Sequence, residues 1–206
     1  IFNKEDYSGP HHNEQLGRFV DEALSFIDSH SLKLDAVAVS CGPGSYTGLR
    51  IGTSMAKGIC YGRDVKLIAI PTLELLAVPV LLKEQAEEEN ALLVPMLDAR
   101  RMEVYAQVFN RSLDEVRKIQ ADVVTAETYK EYLDKGPVYF FGNGAAKCME
   151  EINHPNAHLI KDVVPLAKYM FPLAEKRIAQ GKFDDVAYFV PFYLKDFVAK
   201  LPKKLL

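Results

Sequence analysis

A chain of 206 residues, 49% of them hydrophobic, is long enough for one large domain or two small ones and too apolar to be disordered as a whole. Its net charge of −3 argues against strong unaided nucleic-acid binding, which needs a basic face, and leaves room only for a local basic patch. Cys41, Cys60 and Cys148 are odd in number and scattered; they suit the reduced core thiols of a cytoplasmic protein, not a disulfide frame or a zinc site, and no secretory leader or membrane-spanning apolar run is present.

In chain order, Ile1 to Tyr7 reads as an edge strand and Ser8-Gly9-Pro10 as a turn. Asn13 to His30 reads as a helix, with Leu16, Phe19, Val20, Ala23, Leu24, Phe26 and Ile27 forming an apolar band wider than one core stripe. One side of that band can face its own sheet and leave the other for a partner; the alternative is a deeply buried helix. His11 and His12 at its start read as ordinary histidines in preference to metal ligands or catalytic groups.

Asp35 to Val39 is short, apolar and β-branched, the pattern of a buried strand. The turn Gly42-Pro43-Gly44-Ser45 follows, and then a helix from about Thr47 to Tyr61, which Ser45 or Thr47 is placed to cap. That helix carries Gly48, Gly52 and Gly58, each costing about 1 kcal/mol against alanine. Gly48, Gly52 and Ala56 lie four apart and make a smooth stripe. Two readings fit it: a face built to pack on a helix of another chain, or close packing inside its own domain. A strand, a glycine turn and a helix also suggest a phosphate site. The specific motifs fail, however. Gly48 is followed by Leu49-Arg50 where a Walker loop needs Lys-Ser/Thr, the dinucleotide glycine spacing is one too long, and Ser45 lacks the flanks of a nucleophile elbow.

Val65 to Ile70 is the next strand, and Leu73 to about Glu88 the next helix, kinked near Pro79 with a charged, solvated end. This strand-helix alternation predicts an α/β layer over residues 1–90. A second, smaller α/β unit is expected over 91–206, its last ~15 residues docking back on the first. Its elements are a strand at Leu92–Leu97, a turn at Asp98-Ala99-Arg100-Arg101, a strand at Met102–Phe109 and another at Val116–Val124. A short helix at Ala126–Leu133, a buried strand at Val138–Phe141 and a helix at Ala145–Ile152 follow. Asp98 beside the two arginines reads as a turn aspartate before a functional one. His154 and His158 are four apart, but Pro155 between them makes a loop and not a zinc helix. Leu166, Met170, Leu173, Ala174 and Ile178 form a helical apolar face that Gly181 ends. Val186 to Leu194 reads as docked, and Lys195, Lys200, Lys203 and Lys204 make a basic tail suited to a weak RNA contact.

The stretch Gly42-Pro43-Gly44-Ser45-Tyr46-Thr47-Gly48-Leu49-Arg50-Ile51-Gly52 resembles the signature of the bacterial TsaB (YeaZ) proteins. These are non-catalytic partners of TsaD in making N6-threonylcarbamoyladenosine beside the anticodon of tRNA, within the actin-like ATPase, glycoprotease-like superfamily. The likeness continues through Pro71-Thr72-Leu73-Glu74, Val94 to Arg101, Glu103-Val104-Tyr105 and Pro191-Phe192-Tyr193-Leu194-Lys195.

The resemblance implies two tandem α/β domains of ribonuclease-H type, the actin-like (ASKHA) fold, here apparently lacking the family's N-terminal hairpin. It implies a signature loop of Gly42, Pro43, Gly44, Ser45, Thr47, Gly48 and Arg50. It implies pairing with TsaD through the first two helices, with Leu16, Phe19, Ala23, Gly48, Gly52, Met55 and Ala56 as candidate interface positions. TsaE, an ATPase, completes the assembly; the chain self-pairs when alone, meets tRNA through the complex, and holds no cofactor of its own, a nucleotide at the junction with TsaD and TsaE being left open. TsaD-type proteins carry a His-x-x-x-His metal site where this chain reads Ile70-Pro71-Thr72-Leu73-Glu74-Leu75-Leu76-Ala77, without histidine, and Glu74 alone cannot hold a catalytic metal. The expected role is therefore that of a cytoplasmic scaffold and activator, not an enzyme by itself. The alternative is an actin-like phosphotransferase or metallopeptidase acting alone.

Overall fold

A computed structural model describes residues 2–7 and 12–195, apart from the side chains of residues 12–14. Helix α1 (His12–Ser29) leads to strand β1 (Ala36–Gly42), helix α2 (Tyr46–Arg63), strand β2 (Lys66–Pro71) and helix α3 (Thr72–Leu82). β1 and β2 pair in parallel, with α2 as their crossover. Strands β3 (Leu92–Asp98), β4 (Glu103–Phe109) and β5 (Glu115–Val123) then form an antiparallel meander. After the single turn α4 (Lys130–Leu133), strands β6 (Val138–Phe141) and β7 (Ala157–Ile160) add in parallel, giving a sheet ordered β5-β4-β3-β6-β7. A 3-10 turn (Ala167–Met170) and helix α5 (Phe171–Ala179) follow. The fold is α/β, as expected.

α3 lies between the two sheets. Its sequence Thr-Leu-Glu-Leu-Leu-Ala-Val-Pro-Val-Leu-Leu is apolar on nearly every side, and such a helix has to be buried all round. Leu73, Leu76, Ala77 and Val80 pack with Leu93, Phe109 and Phe141 of the larger sheet. Leu75 and Val78 pack the opposite way, with Ile68, Ile70 and Leu173. Tyr169, Met170, Leu173 and Ala174 therefore bring the chain back on the smaller sheet. A third cluster, around Val94, Met96, Val104, Phe140 and Cys148, fills the other face of the larger sheet.

Several local expectations are corrected. Residues 2–7 form no strand. Their charges find side-chain partners on helices instead: Lys4 pairs with Glu22 at 2.7 Å, Glu5 with Lys168 at 2.9 Å, and the Phe2 ring lies 5.4 Å from Phe26. α3 stops at Leu82 and not near Glu88. Pro79 removes one backbone donor inside it, and Glu84 turns into the left-handed region at φ 53°. The expected helix at 145–152 is one 3-10 turn, Ala146–Cys148, because Cys148 and Ile152 must plug the core just before Pro155, which disfavours helix at His154. β7 was not expected; His158 lies in it, stacked on Tyr139 at 4.9 Å. Of the face expected around α5, Leu166 precedes the helix and Ile178 is exposed; Leu173 alone is fully buried. Gly181, at φ 65°, does end that helix.

Two contacts generate tests. The buried Asp122 carboxylate accepts a 2.6 Å hydrogen bond from the Tyr129 hydroxyl and pairs with Arg117 at 2.5 Å. Asp122→Ala strands the Arg117 charge and should cost about 3–5 kcal/mol in urea unfolding, against about 1 kcal/mol for Tyr129→Phe. Glu5 is held down at about 2 by hydrogen bonds from Asn3, Lys168 and Tyr7. Its folded value lies below the unfolded one of about 4.3. The stability it contributes is thus complete above that unfolded value and is lost as pH falls through about 2. NMR titration of the Glu5 carboxyl should show this midpoint, and Lys168→Ala should move it upward.

Candidate functional site

The glycine turn is shaped by a strand of backbone laid across it. β1 ends at Gly42, whose φ is 113°, and a β-carbon there would collide with the Phe192 carbonyl oxygen. Phe192 N–H donates to the Cys41 carbonyl at 2.8 Å. The same segment is fixed by Lys57, which donates to the carbonyls of Ala187 (2.9 Å) and Phe189 (3.0 Å), and by Asp184, which accepts from Ala69 N–H at 2.7 Å. Residues 186–194 dock through these backbone contacts and through Val186 and Phe189, which pack against Val39, Ala56, Cys60 and Leu67, while Tyr188 and Val190 stay 84% and 72% exposed. Pro43 follows Gly42 through a cis bond. Ser45 caps α2, its hydroxyl accepting from Gly48 N–H at 3.3 Å, while Thr47 is exposed and makes no cap. Arg50 sits 4.3 Å over the Tyr46 ring, and Tyr193 lies 4.9 Å from that ring.

Two apolar hollows flank α2. A groove of about 780 Å³ runs between α1 and α2, lined by Val20 and Leu24 on one side and by Ile51, Met55, Gly58, Ile59 and Gly62 on the other, with Arg50 and Arg63 at its polar margin. Asp28 and Arg63 clamp the two helices with bonds of 2.6 and 2.7 Å. The second hollow, about 540 Å³, lies between α1 and the end of β1. Leu16, Phe19, Gly48 and Gly52 line it, above a 2.7 Å hydrogen bond between the hydroxyls of Ser40 and Thr72.

The candidate positions therefore separate. Leu16 and Phe19 border the second hollow, and Met55 borders the first. Ala23 is half-buried on α1. Ala56 is a core residue, 4% exposed, packed with Val39, Cys60 and Leu67. A β-carbon on Gly48 would touch only Ser45 at 3.5 Å, and one on Gly52 would touch Val39 at 3.6 Å, so this stripe turns toward its own strand and cap. The outward glycines are Gly58 and Gly62, where an added β-carbon meets nothing within 4 Å. Their place beside Val20 and Leu24 depends on how α1 packs, which helical spacing alone does not give.

A third, polar cleft of about 600 Å³ lies between the signature loop Pro43–Thr47, the β3–β4 turn, Tyr105, Asn143 and residues 192–195. Asp98 is a turn residue there. It accepts from Arg100 N–H at 3.0 Å and pairs with Lys147 at 2.5 Å, which holds its carboxyl below the usual range. Lys147 also reaches the Glu103 carbonyl at 2.8 Å, and Lys195 pairs with the Glu103 carboxylate.

Nucleophile chemistry is poorly served. Burial pushes the Cys41 thiol up to about 11 and also raises Cys60 and Cys148, which disfavours the nucleophilic thiolate, and the three cysteines are free. Among the described residues no three His, Cys, Asp or Glu groups gather as a metal site, and His154 is engaged by Asn156 N–H at 3.1 Å. The His11 and His12 side chains and the tail lysines Lys200, Lys203 and Lys204 lie outside the described residues. No described helix is long and apolar enough to cross a membrane.

Comparison with known proteins adds the following. The family model described as "TsaD: tRNA N6-adenosine threonylcarbamoyltransferase" matches residues 6–203. The tRNA threonylcarbamoyladenosine biosynthesis protein TsaB of Escherichia coli is 28% identical over 203 residues, 94% of this chain and 85% of that protein. The protein of the same name from Haemophilus influenzae is 28% identical over 204 residues, covering 93% and 84%. A Pseudomonas aeruginosa crystal structure described as similar to peptidase YEAZ superposes with a TM-score of 0.74 at 20% identity, over 87% of this chain and 83% of that one, and shares the fold.

The crossing at Gly42 is directly testable. Gly42→Ala should destabilise the chain by more than about 1 kcal/mol, because both the positive φ and the Phe192 carbonyl oppose a β-carbon. Hydrogen exchange at the Phe192 amide should accelerate in the same variant.

Proposed function

The chain belongs to the TsaB (YeaZ) family, and we propose that it is the scaffold and activator subunit for a TsaD-type tRNA threonylcarbamoyltransferase, which it binds through α1 and α2. It is not the transferase by itself, and its role lies in tRNA threonylcarbamoyladenosine biosynthesis. The observation that carries the binding mode is the open groove between α1 and α2. No side chain described in α1 is fully buried, although its sequence presents a wide apolar band. Helices left half-covered in this way can complete a four-helix packing with two helices from a partner. Leu16, Phe19, Ala23, Gly48, Gly52 and Met55 remain the positions proposed at or beside that contact, with Ile51, Ile59, Gly58 and Gly62 added from the groove. Ala56 supports it from within the core.

In this reading residues 1–90 form the partner-binding unit, completed by the returning residues 167–195, and the sheet that begins at residue 92 is the second unit. Without TsaD the same face is expected to self-pair with two-fold symmetry. A TsaE-type ATPase completes the assembly. A nucleotide retained by the mixture and not by the isolated chain would lie at the subunit junction.

The test is the mass in solution of the chain alone and mixed with a TsaD-type protein, with transferase activity followed as a TsaE-type protein is added. A one-to-one complex and activity only in the full mixture are expected. Gly58→Leu is the decisive variant, because nothing lies within 4 Å of its added β-carbon. The change should leave the melting temperature equal or higher, since it gains about 1 kcal/mol of helix propensity, and should abolish pairing. Normal pairing by that folded variant would move the interface elsewhere. Tight ATP or zinc binding by the isolated chain would favour an enzyme acting alone.

A further inference from the structure

The turn between β3 and β4 places two consecutive arginines in the left-handed region, Arg100 at φ 73° and Arg101 at φ 50°. Glycine and asparagine suit such backbone; arginine does not. Strained positions of this kind cluster where a side chain is needed for something other than folding.

Among the described residues neither guanidinium has a hydrogen bond or ion pair. The neighbouring acids are already engaged, Asp98 by Lys147 and Glu103 by Lys195. Arg100 and Arg101 thus put two positive charges without a direct ion pair at one spot of a chain whose net charge is −3, the Arg100 charge being felt by Asp98 only at a distance. Arg100 lines the polar cleft of about 600 Å³, together with Tyr105, Tyr193, Asn143, Ser45 and Thr47. Arginine for phosphate, tyrosine for a base face, and amide and hydroxyl groups for base edges or a 2′-hydroxyl are together the chemistry of single-stranded RNA recognition. The carboxylates of an acidic peptide would use the arginines alone.

We infer that the cleft between the signature loop and the Arg100–Arg101 turn takes a phosphate-linked nucleotide of an RNA strand, so that this subunit touches the tRNA directly. The inference rests on the role proposed above but on a different surface from the α1–α2 groove. The chain as a whole is not a nucleic-acid binder by charge; the contact is local and adds to whatever the partner subunit holds.

The test uses the full chain in its complex with the TsaD-type partner and a labelled tRNA anticodon stem-loop as the probe. Affinity is measured across about 50 to 200 mM salt for wild type and for the double variant Arg100→Asn, Arg101→Gly. The variant backbone is better suited to the turn, so its melting temperature should stay equal or rise, and the mass of the complex should be unchanged. Its slope of log affinity against log salt should be shallower by about 1.4, the loss of two single-strand phosphate contacts. A stable variant that keeps the wild-type affinity and slope overturns the inference, leaving the arginines as strained turn residues. If wild type forms no complex, the pairing role fails and this one does not. The same two proteins are then compared alone on the same RNA, and the same difference in slope is required.

Discussion

The interaction on which the rest depends is the burial of α3 from two sides. A helix with leucine, valine and alanine around nearly its whole circumference cannot face water, and one sheet covers only one of its sides. Leu75 and Val78 commit it to the smaller sheet, while Leu73, Leu76 and Val80 commit it to the larger. The two sheets are therefore one packing problem. Two parallel strands alone would be marginal; with α3, α2 and the returning α5 packed on them, their hydrophobic positions are covered.

The returning segment does a second job at the signature loop. Its backbone crosses Gly42, bonds to Cys41, and ends with Lys195 paired to Glu103 on the larger sheet. Lys147 performs a similar task inside the larger sheet, tying Asp98 to the backbone at the start of β4. At Gly42, the start of the loop that looks like a phosphate cradle in the linear sequence, the space is thus taken by the chain's own backbone. This gives a physical reason for its glycine that does not involve a bound anion. What stays open is the polar cleft beside it and the apolar groove beyond α2.

α1 is the element with the least secure place. Its Leu16 and Phe19 border one hollow and its Val20 and Leu24 another, so it touches the rest of the chain mainly along one edge. The Asp28–Arg63 clamp and the pairing of Lys4 with Glu22 lie in solvent, where water and salt screen such pairs and they hold the helix only weakly. The apolar band therefore retains surface that a second protein can cover without disturbing the core.

Much of this was legible from sequence. Alternation and β-branching located six of the seven strands, and helical spacing located α1, α2 and the start of α3, because these signals are set by neighbours in the chain. The capping role of Ser45 and the resemblance carried by Gly42 to Gly52 were equally local. β7 escaped because four residues after a proline carry no period, and residues 2–7 were misread because their charges found partners on α1 and Lys168 in place of a strand ladder. The glycines were seen but not oriented. Whether Gly52 or Gly58 faces outward depends on the angle at which α2 lies on β1 and on where α1 settles. The same holds for Arg100 and Arg101: sequence shows two cations, but only the fold pairs Asp98 with Lys147 and Glu103 with Lys195. Local chemistry determined the elements and the family likeness; contacts between residues distant in the chain decided which surfaces remained free.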